Sequence, residues 1–99
     1  MAYKYLFDPI AADEYANAYD WYAERSHVAA DGLLIALEET IQLICEHPAR
    51  YRNTYKKLRE VSLKKYPFSI VYFTDEANNL IIIISVYHHK RNPSKKYRK

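Results

Sequence analysis

The sequence predicts an α+β domain: an N-terminal strand, an antiparallel helical hairpin, and the remaining strands of a mostly antiparallel four-stranded sheet, with the hairpin on one face. Three observations carry this reading. Tyr3, Tyr5 and Phe7 alternate with Ala2, Lys4 and Leu6, the pattern of a short strand. Two stretches of helical spacing follow, separated only by Arg25-Ser-His27. Finally, Leu80-Ile-Ile-Ile-Ile-Ser-Val-Tyr87 is apolar on both parities, as expected of a central strand covered on both faces.

Taken in order, the opening strand ends at Asp8-Pro9, which has the form of a helix start. The Asp carboxylate can cap free amides, and Pro fills the first helical position, where no amide hydrogen is needed. In the first helix Ala11, Ala12, Tyr15, Ala18, Tyr19 and Tyr22 recur at three- and four-residue steps, with Asp13, Glu14, Asp20 and Glu24 over much of the remaining surface. Tyrosines at helical spacing are read as core rather than as a platform for stacking bases. A second helix starts at Ser26 or His27 and continues to about His47, where Pro48 stops it. Its stripe is Leu33, Leu34, Leu37, Ile41, Ile44 and Cys45. Gly32, the only glycine, costs about 1 kcal/mol relative to Ala within a helix, and close packing of the two helices would explain it. The short connection makes the helices antiparallel neighbours, and only the sheet is large enough to cover their shared apolar side.

Residues 48–57 read as a loop rich in tyrosine and cations. Val61 and Leu63 then alternate with Glu60, Ser62 and Lys64 in a half-buried strand, and Pro67 sets the start of the next, Phe68 to Phe73. Asp75-Glu-Ala-Asn-Asn is turn chemistry, so this strand and Leu80 to Tyr87 form a hairpin. Residues 93–99 hold too little apolar surface to pack and are expected to form a mobile basic tail on a single domain spanning 1–99.

Composition narrows the function classes. Ninety-nine residues at 49% hydrophobic content suffice for one core and leave no room for a second. One cysteine, Cys45, excludes an intrachain disulfide. The start of the chain lacks the marks of a signal peptide, and the longest apolar run, Leu80 to Ile84, is far shorter than a bilayer span, so a soluble cytoplasmic protein is expected, with no membrane partner. The net charge of +3 conceals a division into halves: residues 1–50 carry −6 and residues 51–99 carry +9. A continuous basic face in the second half would attract polyanions or acidic protein surfaces, whereas dispersed cations would only be solvated.

Where the most buried strand ends, His88, His89, Lys90 and Arg91 emerge together, an arrangement suited to a binding or catalytic surface on a rigid support. Adjacent histidines on a strand point to opposite faces and Cys45 belongs to a helix, so no metal site is expected. No serine has a convincing His and carboxylate partner, and one glycine cannot build a phosphate loop, so no cofactor is expected. Arg59 has a structural alternative in surface ion pairs with Glu46 or Glu60. Glu60 qualifies as a general base only if it faces the same cleft as His88.

The order strand, helix, helix, strands, together with Trp21-Tyr22, Pro48, Arg59, Tyr66-Pro-Phe-Ser-Ile-Val-Tyr72 and His88-His-Lys-Arg-Asn-Pro93, resembles the RelE/ParE superfamily of toxins from type II toxin–antitoxin modules. The resemblance covers nearly the whole chain and implies a growth inhibitor neutralised by a cognate antitoxin. It also implies one of two targets: the ribosome and its mRNA, cleaved without metal in RelE-like members, or DNA gyrase, inhibited without hydrolysis in ParE-like members. For the ribonuclease, the resemblance implies a catalytic set of Arg59, His88, His89, Arg91 and Tyr97, with Lys56, Lys57, Lys90, Lys95 and Lys96 binding RNA or another target. In that chemistry a histidine moves a proton, arginines stabilise the pentacoordinate phosphate, and Tyr97 stacks or assists proton transfer. Ser69 departs from this pattern, since the resembling ribonucleases commonly carry arginine there. The His-x-x-Arg-x-Pro ending is more similar to ParE-type sequences. The gyrase inhibitor is therefore preferred, the ribosome-dependent endoribonuclease is the alternative, and a detoxified relative that only binds a partner is a third class.

Overall fold

A computed structural model describes residues 3–90. Strand β1 (Lys4–Phe7) leads into helix α1 (Pro9–Ala23), and helix α2 (His27–Glu46) follows after a short connection. Asp8 accepts the Ala11 amide at 2.9 Å and Ser26 accepts the Ala29 amide at 3.2 Å, so both expected helix starts are side-chain caps. After α2 a 3-10 turn at Pro48–Arg50 leads to β2 (Arg52–Tyr55), β3 (Leu58–Ser62), β4 (Phe68–Asp75) and β5 (Leu80–His88).

The sheet therefore has five strands rather than four, in the order β1-β5-β4-β3-β2. The added strand is β2, within the stretch read from the sequence as loop. Arg-Asn-Thr-Tyr offers no apolar alternation, and it forms an edge strand because β3 presents a backbone ladder to it, with Arg52 opposite Glu60 and Asn53 opposite Arg59. β1 runs parallel to β5, with Lys4 opposite Leu80, and every other pairing is antiparallel. The middle position belongs to β4, and β5 lies beside it as an inner strand.

The main core lies between the helices and the sheet. Ala11 and Ala18 of α1 join Leu33, Leu37, Ile41, Ile44 and Cys45 of α2 against Phe68, Ile70 and Tyr72 of β4 and Ile81, Ile83 and Val86 of β5. Ala30 is buried as well, while Leu34 is half-buried and Ala12 exposed, so the inward stripes are slightly rotated from the expected ones. A smaller cluster, Leu58, Val71 and Ile84 with Phe73, Ile82 and Tyr87, occupies the other face.

One irregularity decides which β5 side chains face the helices. Val71 pairs with Ser85 but Tyr72 pairs with Ile83, leaving Ile84 as the extra residue of a bulge. Ile81 and Ile83 face the helices before the bulge, and Val86 does so after it, although strict alternation from Ile82 and Ile84 would send Val86 to the other face. Glu14 of α1 closes the irregularity: its Oε1 accepts the Ser85 hydroxyl and the Val86 amide, each at 2.9 Å.

Gly32 also has a different cause from the expected one. A Cβ there would overlap the hydroxyl of Tyr66, which reaches across α2 to donate to the Ala29 carbonyl at 2.8 Å. The small residue therefore accommodates the segment before β4, not the neighbouring helix. Gly32→Ala should cost about 1 kcal/mol by expelling the hydroxyl, but in a Tyr66→Phe background the same change should stabilise by up to about 1 kcal/mol through helix propensity. Urea denaturation of the four proteins measures this coupling, and additive effects would refute it.

Candidate functional site

The residues singled out in the sequence fall into two groups near opposite ends of β4. At one end β5 closes with His88, and His88 and the next residue, His89, turn to opposite faces. His88 turns toward the helices, its ring 5.1 Å from that of Phe68, and borders a small cavity of about 50 Å³ with Trp21 and Tyr22. The Lys90 amide donates to His88 Nδ1 at 3.1 Å, which orients the ring.

His89 turns to the other face. Its Nε2 lies 2.8 Å from Ser69 Oγ, and Ser69 Oγ lies 3.0 Å from Ser62 Oγ, which links an exposed imidazole to a buried hydroxyl and on to an exposed one. The chain has a physical origin in register: Ser62 pairs directly with Ser69 across β3 and β4, and a hydrogen bond from the His89 amide to the Pro67 carbonyl continues the strand edge past the last ladder pair. Whether His89 Nε2 donates to Ser69 Oγ or accepts from it depends on the tautomer of the ring.

Glu60 is buried on the same face as His89, not in a cleft with His88. Its Oε2 accepts the Tyr87 hydroxyl at 2.5 Å, and Arg52 stands 3.8 Å from its Oε1. Glu60 therefore does not meet the condition set for a general base, a place in the same cleft as His88.

At the other end Arg59 faces the helix side of the sheet. Its Nη1 donates to the Tyr51 carbonyl at 2.7 Å, and it forms no ion pair with Glu46 or Glu60. Arg59 sits opposite Tyr72, three positions along β4 from Ser69, which is roughly 10 Å of strand, and on the opposite face. It cannot supply the cation that Ser69 lacks.

Arg59 instead joins Lys56 and Lys57 in an open groove of about 750 Å³ that also takes in His47 and Arg50. Lys56 adopts a left-handed backbone with φ 52° at the turn between β2 and β3. Asn53 holds that turn by donating to the carbonyls of Lys56 at 2.8 Å and Leu58 at 3.2 Å. Arg50 and His47 were not named as site residues from the sequence; for Arg50 the density of cations in residues 48–57 was the available signal.

Lys90 is exposed, whereas Arg91, Lys95, Lys96, Tyr97 and the expected tail at 93–99 lie outside the described residues. The two histidines do not converge on a shared ligand, and among the described residues no three His, Cys, Asp or Glu side chains are placed to hold a metal ion. Burial pushes the Cys45 thiol above its ordinary pKa, which disfavours the reactive thiolate. No described helix is long and apolar enough to cross a membrane.

Comparison with known proteins agrees with this architecture. Residues 5–93 match the family model described as the ParE toxin of the type II toxin–antitoxin system parDE. No curated protein sequence matches. Among solved structures, the chromosomal ParDE toxin–antitoxin system from P. aeruginosa aligns with a TM-score of 0.73 at 15% identity, covering 88% of this chain and 96% of that one. The isolated E. coli RelE toxin aligns with a TM-score of 0.64 at 16% identity, covering 95% and 92%. The intact E. coli RelBE toxin–antitoxin complex gives 0.62 at 18% identity, covering 91% and 100%. At these identities the structural likeness speaks to the fold, which ParE and RelE proteins share. With the family model spanning most of its length, the chain belongs to the ParE toxin family of type II toxin–antitoxin systems, within the RelE/ParE superfamily.

Proposed function

We propose that this toxin inhibits DNA gyrase without hydrolysis and is held inactive by a cognate antitoxin. Ser69 carries the reading. The side chain is 1% exposed and engaged by Ser62 and His89, while Arg59 points to the opposite face, so the cations expected of a ribonuclease centre do not gather there among the described residues. A buried serine cannot neutralise charge developing on phosphate. The match of residues 5–93 to the ParE family points the same way.

The antitoxin contact is assigned to the outer side of α2. Val28, Ile35 and Leu43 are 82%, 55% and 45% exposed and recur every seven or eight residues, a stripe suited to an apolar helix or extended segment. Purified protein should block gyrase supercoiling and leave translated mRNA intact in primer extension. Ile35→Asp should keep that inhibition yet escape rescue by the antitoxin. Ribosome-dependent cuts abolished by the double change His89→Ala and Arg91→Ala would overturn the gyrase reading in favour of the endoribonuclease.

A further inference from the structure

The groove beside Arg59 is separate from the His89 end of the sheet, and its chemistry differs. Three successive segments contribute cations to it: Arg50 from the turn after α2, Lys56 and Lys57 from the β2–β3 turn, and Arg59 from β3. Two carboxylates also line it, and both are already engaged. Glu46 Oε2 accepts from Gln42 at 3.2 Å, and Glu76 Oε1 accepts from the Tyr3 hydroxyl at 3.0 Å. Bonds from neutral donors leave both acids charged, and four cations against two carboxylates still leave the groove net positive.

The Arg59 side chain and the turn that carries the two lysines are also held in place. The Tyr51 carbonyl fixes the Arg59 guanidinium while leaving its other N–H groups for a ligand. Asn53 braces the turn that carries Lys56 and Lys57 through both of its carbonyl contacts. An enclosed pocket with converging charges would suit one small anion. Here four cations line one open groove of about 750 Å³, which is roomy enough for several backbone phosphates rather than one small anion.

We propose that this groove binds the phosphate backbone of double-stranded DNA, with Arg50, Lys56, Lys57 and Arg59 as its contacts. Phosphate recognition follows from the groove itself, and the choice of duplex rests on the gyrase reading, because that enzyme works on duplex DNA. Binding would be independent of base sequence, since cations directed at phosphates position a protein without reading bases. The toxin would then hold the DNA segment that its target is processing.

The test is fluorescence anisotropy with a labelled 20-base-pair duplex across a salt series, using the full-length protein without gyrase. The double variant Lys56→Ala with Lys57→Ala should bind about tenfold more weakly at low salt, and the slope of log K against log salt should fall by about 2. Lys64→Ala with Lys65→Ala removes the same charge beyond the far end of β3 and should bind as wild type does. Circular dichroism melts of each variant confirm folding. Absence of duplex binding by the wild type, equal losses in the two double variants, or tighter binding of single-stranded RNA of the same length would each overturn the proposal. The supercoiling assay keeps the two readings apart. Duplex binding through the groove without gyrase inhibition refutes the gyrase reading and leaves the groove assignment standing, whereas gyrase inhibition with unaltered duplex binding by the groove variant refutes the groove assignment alone.

Discussion

Replacing Tyr72 with alanine should lower the unfolding free energy by about 4 kcal/mol, and with phenylalanine by about 1–2 kcal/mol. Tyr72 is fully buried in the middle strand, within the core between sheet and helices. Its hydroxyl donates to the Pro48 carbonyl at 2.6 Å, tying the sheet to the turn where α2 ends. Alanine removes the ring and leaves a cavity as well as an unsatisfied carbonyl. Phenylalanine loses only the hydrogen bond.

The same burial makes the tyrosine report on pH. Desolvation raises the Tyr72 pKa above its ordinary 10.0, with the positive charge of Arg59 offsetting part of the effect. The folded state therefore holds this proton more tightly than the unfolded state does. The contribution is complete below about pH 10 and is lost as the pH climbs from there toward the folded value. Urea denaturation at pH 7 and at pH 10.5 should show the gap between wild type and Tyr72→Phe shrinking at the higher pH. A gap that stays constant would mean that the hydroxyl is not sequestered.

Glu14→Ala should destabilise by about 3 kcal/mol, and Glu14→Gln by about 1 kcal/mol. This carboxylate accepts the hydroxyl of Ser85, which is 0% exposed, and the backbone amide of Val86. Both donors lie beside the bulge at Ile84, where the ladder between β4 and β5 is interrupted. Alanine strands two buried donors, whereas glutamine keeps an oxygen in reach of them. Amide exchange at Val86 separates this from a general electrostatic effect: it should accelerate in Glu14→Ala and stay slow in Glu14→Gln. A cost below 1 kcal/mol for alanine would remove Glu14 from the support of the sheet.

The helices, their caps and the hairpin of β4 and β5 were legible in the sequence because each is encoded within a few neighbouring residues. Asp8-Pro9 and Ser26 can cap from where they stand, the stripe from Leu33 to Cys45 repeats at the helical period, and Leu80 to Tyr87 has the composition of a covered strand whatever its partner. The candidate site was legible only as residue types. Lys56, Lys57 and Arg59 do share a groove, and His89 does emerge at a strand end, but the expected union of Arg59 with the histidines fails. Three residues of register and a change of face separate them, and both depend on how β3 pairs with β4. β2 likewise exists because β3 offers its edge, since nothing in Arg-Asn-Thr-Tyr demands a strand. The bulge at Ile84 and the space at Gly32 belong to the same class. Each records a contact between segments far apart in the chain, with Glu14 at the bulge and Tyr66 over the helix, and such contacts have no periodicity for a local pattern to reveal. Local spacing determined which elements form, and long-range pairing and packing decided which side chains meet.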